Sequence, residues 1–258
     1  MPSLLATAGA KADLSQYNEE VECSDERDGW ETIVMDGHTY GVRTSGMDEK
    51  GQAFETLVIY CSTLGPRFAP FLGPTLEVML PCLRFYFHEG VREACVMLVP
   101  MLLACGKQSG TLTNQMVAFH QLITCINTEH DATFLASLYK YFTESLRVIG
   151  GPEALSQQFH GAVMEATKRQ LHAIADRRKV RAARVNGTGG PMSMSMGMGE
   201  YDRDEMALVE EIEDFALEDV GKMLMCFDPN HPLLVAVAGM RDLGFNTYDS
   251  DEDGEEEE

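Results

Sequence analysis

Cys82, His88 and Cys95 stand close enough in sequence to suggest chemistry, either metal ligation or a thiol nucleophile. Their spacing argues against a metal. Zinc ligands come in short steps that place two donors on one side of a turn, and here a helix corner separates the three. Cys125 and His120 form another candidate, a Cys–His nucleophile pair. Residues five apart on a helix point apart, and Cys125 falls near an apolar stripe. The glycines at 187–199 follow no strand, so they do not form a phosphate cradle. No catalytic, cofactor-binding or metal-ligating residue is assigned, and no cofactor is expected. His88 reads as a corner residue that hydrogen-bonds backbone.

The remaining polar chemistry is charge. Across 258 residues, 41 Asp and Glu face 20 Lys and Arg, a formal net charge of −21. That balance argues against nucleic acid or an anionic membrane as a ligand of the whole chain, and favours a basic partner or simple solubility. One basic run stands out: Lys168, Arg169, Arg177, Arg178, Lys179, Arg181 and Arg184. It reads as a solvated helix end or as a docking patch for an acidic surface, the chain's own included. The seven cysteines are odd in number, form no CxxC and fall mostly on apolar faces, the pattern of buried reduced thiols in cytosol or nucleus. The first residues lack the basic-then-apolar order of a signal peptide. No uncharged apolar run reaches the ~18 residues of a membrane span.

The elements that must position these residues are helices. Leu76, Met79, Leu80 and Leu83 form an apolar stripe ahead of a corner at His88-Glu89-Gly90, and Val91, Cys95, Leu98, Leu102 and Cys105 form another after it. So short a turn makes the pair antiparallel. Kinks are expected at Pro81 and Pro100, and Gly106 should end the second helix. Further helices are predicted over 47–64, 111–127, 132–149 (capped by Asp131), 152–184 and 203–227, with an apolar run at 233–240. The inward face of the 203–227 helix is read as Val209, Ile212, Ala216, Val220, Met223 and Phe227. Residues 1–29 read as a disordered acidic leader in which a short helix around Leu4–Ala12 could form. A β-hairpin is expected near 31–42 around Asp36-Gly37, within a 30–43 segment. Residues 186–202 read as a disordered Met/Gly loop and 242–258 as a disordered acidic tail.

The corners before Val91 and Ala132 lie about forty residues apart, the period of HEAT and armadillo helix pairs. The fold class is therefore all-α, a HEAT-repeat superhelix, with repeats over 44–185 and last helices over 203–241. Residues 67–106 and 109–150 form whole pairs, and 152–227 a third. The helix at 47–64 is the second of a pair whose first helix is absent or disordered. DGWETI at 28–33, TSGMDEK at 44–50 and LPCLRFYFHEGVR at 80–92 resemble the importin-beta family of nuclear import receptors, particularly its karyopherin beta three, or Ran-binding protein five, branch. The resemblance is specific over 28–106, moderate to 150 and weaker to 227. Members of that family are several times longer, so the resemblance implies an internal fragment.

The resemblance further implies import of basic cargo, located in cytoplasm and nucleus, with Ran GTPase and nuclear pore proteins as partners of the parent protein. No direct nucleic-acid contact and no membrane insertion are expected. Acidic residues on the second helices of the pairs are the candidate partner-binding set: Glu93, Asp131, Glu144, Glu205, Glu210, Glu211, Asp214 and Glu218. A non-transport HEAT scaffold, or an acidic chaperone for basic proteins, is the alternative.

Overall fold

A computed structural model describes residues 1–11, 14–16, 30–35, 38–111, 116–185 and 200–241. The central turn at 36–37, residues 186–199 of the expected 186–202 Met/Gly loop and the acidic tail lie outside the described residues, whereas residues 200–202 are helical instead of loop. The chain divides into two compact units, 1–121 and 122–258.

In the first unit, α1 (Pro2–Ala8) packs on α2 (Thr44–Leu64) and α3 (Leu72–Cys82), and α2 and α3 pack on α4 (Glu89–Ser109). A 3-10 turn, Gly65–Phe71, links α2 to α3 and buries Phe68. α2 places Met47, Phe54, Leu57 and Cys61 inward, and α4 places Val91, Cys95, Leu98, Leu102 and Cys105 inward, as their spacing requires.

Two expectations for the opening residues are corrected. The leader is not wholly without structure, and α2 does not lack a neighbour on that side. α1 supplies one, because the buried Lys50 ammonium donates to the carbonyls of Ala8 (2.5 Å) and Ala10 (2.9 Å) and so ties the chain start to α2. The self-standing two-stranded hairpin at 31–42 is likewise replaced by three short antiparallel strands. β3 (His38–Arg43) is central, flanked by β2 (Trp30–Met35) and β1 (Leu14–Gln16). A lone hairpin leaves a row of unpaired backbone groups on each edge, and β1 covers one of them.

The corner is also shifted. α3 ends at Cys82, one residue past Pro81, so this proline terminates a helix instead of kinking a longer one. The turn runs over Leu83–His88, and Glu89 and Gly90 already belong to the first turn of α4. At its other end α4 passes through a buried Gly106 and stops at Gly110, whose φ of 74° is left-handed. There the Thr111 N–H donates to the Gly106 carbonyl at 2.8 Å, closing the orphan carbonyls of the last turn. Helical geometry alone does not expel a glycine; a residue that needs positive φ ends the helix.

Next comes α5 (Met116–Thr128). In the second unit, α6 (Ala132–Ile149) packs on α8 (Glu200–Phe227), while α7 (Gln157–Val185) packs on α8 and α9 (Leu233–Arg241). Asp131 caps α6, its Oδ1 accepting from the N–H groups of Thr133 (2.8 Å) and Phe134 (3.3 Å). The α6 core face is Phe134, Leu135, Leu138, Tyr139, Phe142, Leu146 and Ile149. Two buried polar side chains bridge helices: Tyr139 donates to Thr167 Oγ1 (3.1 Å), and Gln170 on α7 donates to the carbonyls of Ile126 (2.6 Å) and Glu129 (2.9 Å). Packing of α2 on α4 and of α6 on α8 sets second helix against second helix, the stacking mode of HEAT pairs. Among the described residues no helix is long and apolar enough to cross a membrane.

Candidate functional site

The acidic helix α8 has two chemically different faces. Residues 204, 208, 211, 215, 218, 222 and 225 follow one another in alternating steps of four and three, so they lie along one side of a helix. All are exposed. Asp204, Glu211 and Glu218 alternate there with Leu208, Phe215 and Met225, which are 57%, 56% and 51% exposed. Glu205 is exposed beside them. Lys222 crosses to Glu218 (2.8 Å) and Asp219 (3.0 Å), and those contacts hold the Glu218 carboxyl below its ordinary range. The surface presents negative charge interleaved with large apolar groups.

On the other face, Glu210 and Glu213 are buried. Glu213 accepts from Arg177 Nε and Arg178 Nε, both at 3.0 Å, and from Arg181. Arg178, with no exposed surface on its side chain, also donates to Asp214 Oδ1 (2.9 Å), the Glu210 carbonyl (3.2 Å) and the Met240 carbonyl near the end of α9 (2.9 Å). Arg181 lies 3.6 Å from Glu210 Oε1. Burial alone pushes the Glu213 carboxyl up, but hydrogen bonds from the three arginines outweigh it and hold it below the ordinary carboxylate range. The basic end of α7 thus docks on an acidic surface of the same chain, one of the two readings its sequence allowed.

The expected inward face of α8 is corrected in its first half. Val209 is 38% exposed and Ile212 half-buried, while Glu210 and Glu213 turn inward. Three arginines arriving from α7 make the charged positions the better ones to bury. Periodicity weighs apolar residues only, so Glu213, the hub of this network, escaped the sequence reading. The signal was the pairing of a basic helix end with an acidic helix start across an interrupting loop.

The eight expected partner-binding residues therefore separate. Glu205, Glu211 and Glu218 are exposed on α8. Glu210 is buried and Asp214 is held by Arg178. Asp131 is exposed, with its carboxylate engaged as the α6 cap. Glu93 and Glu144 are half-buried on α4 and α6.

The corner that carries the family-like motif is a second built site. His88 Nδ1 accepts from the Val91 N–H (3.2 Å), capping α4, so Nε2 carries the proton and faces Asp48 Oδ1 at 3.4 Å. Arg92, buried, donates from Nε to the Leu83 carbonyl (3.2 Å) and lies over the Tyr86 ring. Lys50 Nζ sits 5.1 Å from the Phe85 ring centroid and 5.7 Å from that of Phe54. The Cys95 thiol and the Lys50 ammonium pull the Cys82 thiol below its ordinary range, whereas burial and the Cys82 thiol push Cys95 above it. Among the described residues no three metal-ligating side chains come together.

No protein-family model matches the chain. Importin subunit beta-3 of Saccharomyces cerevisiae is 28% identical over 238 residues, covering 85% of this chain and 19% of that protein. The fold is that of Kap121p: the structure bound to Nup53p superposes over 94% of this chain and 22% of Kap121p, with a TM-score of 0.73 at 22% identity. Kap121p bound to RanGTP gives a TM-score of 0.67 at 23% identity, again over 94% of this chain. The importin-beta resemblance is shown, in sequence and in fold. The chain spans about a fifth of the length of these importin-beta relatives. The FYFHEGVR stretch forms the α3–α4 corner and the start of α4. The TSGMDEK stretch opens α2 and carries both Asp48 and Lys50.

Proposed function

We propose that this chain is part of a nuclear import receptor of importin-beta type, working between cytoplasm and nucleus, and that it binds Lys/Arg-rich protein segments through the exposed face of α8. The supporting observation is the alternation of Asp204, Glu211 and Glu218 with Leu208, Phe215 and Met225 along one exposed side. Charge selects a basic ligand and the apolar groups supply area that excludes water from the contact. Glu205 reinforces the charge, while Glu210, Glu213 and Asp214 keep the helix in place. Glu93, Asp131 and Glu144 extend the acidic set on α4 and α6. Solved Kap121p complexes contain Nup53p, Ste12p, Pho4p and RanGTP. By analogy, the partners of the full-length receptor are cargo, nucleoporins and Ran-GTP, with Ran-GTP releasing cargo. The role is one of binding, with no reaction catalysed.

The test is fluorescence anisotropy of a labelled lysine-rich peptide, titrated at low and at physiological salt. Exposed charges beyond about 8 Å are screened at 0.15 M, so binding should weaken clearly over that range. Glu205, Glu211 and Glu218 changed together to Lys should abolish it with the helical circular dichroism signal intact. Binding equal in the wild type and the reversed variant would sink the proposal.

A further inference from the structure

The carboxylates of α8 are not equally available to a ligand. Glu210, Glu213 and Asp214 are engaged by the arginines of α7. Among the described residues, Asp204, Glu205 and Glu211 meet no cation. Glu218 differs from them. Lys222, one turn further on, places its ammonium 2.8 Å from Glu218 Oε1 and 3.0 Å from Asp219 Oδ1. The Asp219 side chain is only 16% exposed, so Lys222 is anchored from the sheltered edge of the helix while it reaches the exposed one. A lone exposed pair is mobile and contributes little, but two acceptors on one ammonium hold it in place. Their effect is mutual: hydrogen bonding to Lys222 lowers the Glu218 carboxyl, and hydrogen bonding to Glu218 and Asp219 raises the Lys222 ammonium. Arg241, at the end of α9, donates to the Asp214 carbonyl at 3.5 Å and holds no carboxylate among the described residues.

We propose that Lys222 determines the specificity of the α8 face: it is a cation in cis at the position a ligand lysine or arginine takes at Glu218, so the face is open to cations from Asp204 to Glu211 and closed to them from Glu218 onward. The inference rests on the reading of α8 as a surface for Lys/Arg-rich segments, and it gives such a segment a polarity. Its basic residues cluster over Asp204, Glu205 and Glu211, and apolar groups meet Leu208 and Phe215. The part over Lys222 and Met225 is uncharged or carries a carboxylate. Screening keeps the two halves separate. At 1.5 Å per residue Lys222 lies about 16 Å along the axis from Glu211, twice the screening length of about 8 Å, yet it is in contact with Glu218.

The experiment titrates the full chain into a labelled lysine-rich peptide at low salt and reads anisotropy. Lys222→Gln and Lys222→Met should each tighten binding about three- to fivefold, the effect of removing one like charge about 5–7 Å away in water. Lys222→Arg should show no such gain, since it keeps a cation at the site. A gain with Met but not with Gln would mark added apolar area and overturn the proposal. Occupancy in cis also predicts coupling. Glu218→Gln should weaken binding at least about twofold more in the Lys222→Gln background than beside Lys222, because only there is Glu218 free for a ligand cation. Equal losses in the two backgrounds would reduce Lys222 to a distant repulsive charge and overturn the assignment. A peptide whose lysines fill only one half tests the polarity. Relative to it, a uniformly lysine-rich peptide should gain at least about twofold more from Lys222→Gln, and equal gains would overturn the polarity. The two levels of inference fail differently. Binding that charge reversal of Glu205, Glu211 and Glu218 abolishes, but that neutralising Lys222 leaves unchanged, removes the role of Lys222 alone. Binding indifferent to the reversal removes the basic-ligand reading and this inference with it.

Discussion

Replacing Arg178 by Met should produce a large loss of stability. The side chain has no exposed surface and makes four hydrogen bonds, to Glu213, Asp214 and the carbonyls of Glu210 and Met240. Arg177 and Arg181 would still hold Glu213, so its carboxylate is not stranded. The two carbonyls lose their Arg178 donors, and each buried acceptor so deprived costs about 1–3 kcal/mol. Adding the broken ion pair, the expected loss is about 3–5 kcal/mol. That corresponds to a fall in melting temperature of roughly 6–20 °C at about 2–4 °C per kcal/mol. The single tryptophan, Trp30, belongs to the other unit, so its fluorescence would report the wrong transition. Far-UV circular dichroism in urea, with hydrogen exchange read over α8 and α9, is the suitable assay. Arg178→Lys should recover little, because an ammonium cannot reproduce the guanidinium fork.

The pH dependence has a definite sign. Glu213 titrates below its ordinary range when folded, so its contribution is complete above the unfolded carboxyl value and disappears as pH falls through the lower folded one. Glu213→Gln should flatten that acid limb. A loss below about 1 kcal/mol for Arg178→Met, the worth of an exposed pair, would refute the reading of this network as the clamp between α7, α8 and α9.

Three smaller perturbations check other joints. Asp131→Ala removes the α6 cap and should cost about 1 kcal/mol in urea denaturation, while Asp131→Asn should retain most of it. Gly110→Ala forces a Cβ into a left-handed residue and should cost about 1 kcal/mol, although nothing crowds the site. Tyr139→Phe should cost about 1 kcal/mol, since Thr167 keeps its own bond to the Val163 carbonyl at 2.7 Å. In a spectrophotometric alkaline titration that variant should also lose the phenol that burial pushes up beyond the ordinary tyrosine range.

Much of this protein was legible from residue order because helices are local. The spacing of Leu135, Leu138, Phe142 and Leu146, with Asp131 before them and Gly150 after, fixes α6 to the residue. The HEAT period and the FYFHEGVR and TSGMDEK stretches likewise need no partner to be seen. What only the tertiary structure decided was which charges are spent inside. Glu210 and Glu211 are neighbours with the same chemistry, yet one is buried against arginines and the other faces solvent. The choice depends on where α7 delivers Arg177, Arg178 and Arg181, across a loop whose length hides the pairing. Lys50 is buried for the same reason: the chain start brings it the carbonyls of Ala8 and Ala10, the α3–α4 corner brings it the Phe85 ring, and no periodicity within a single helix encodes that meeting.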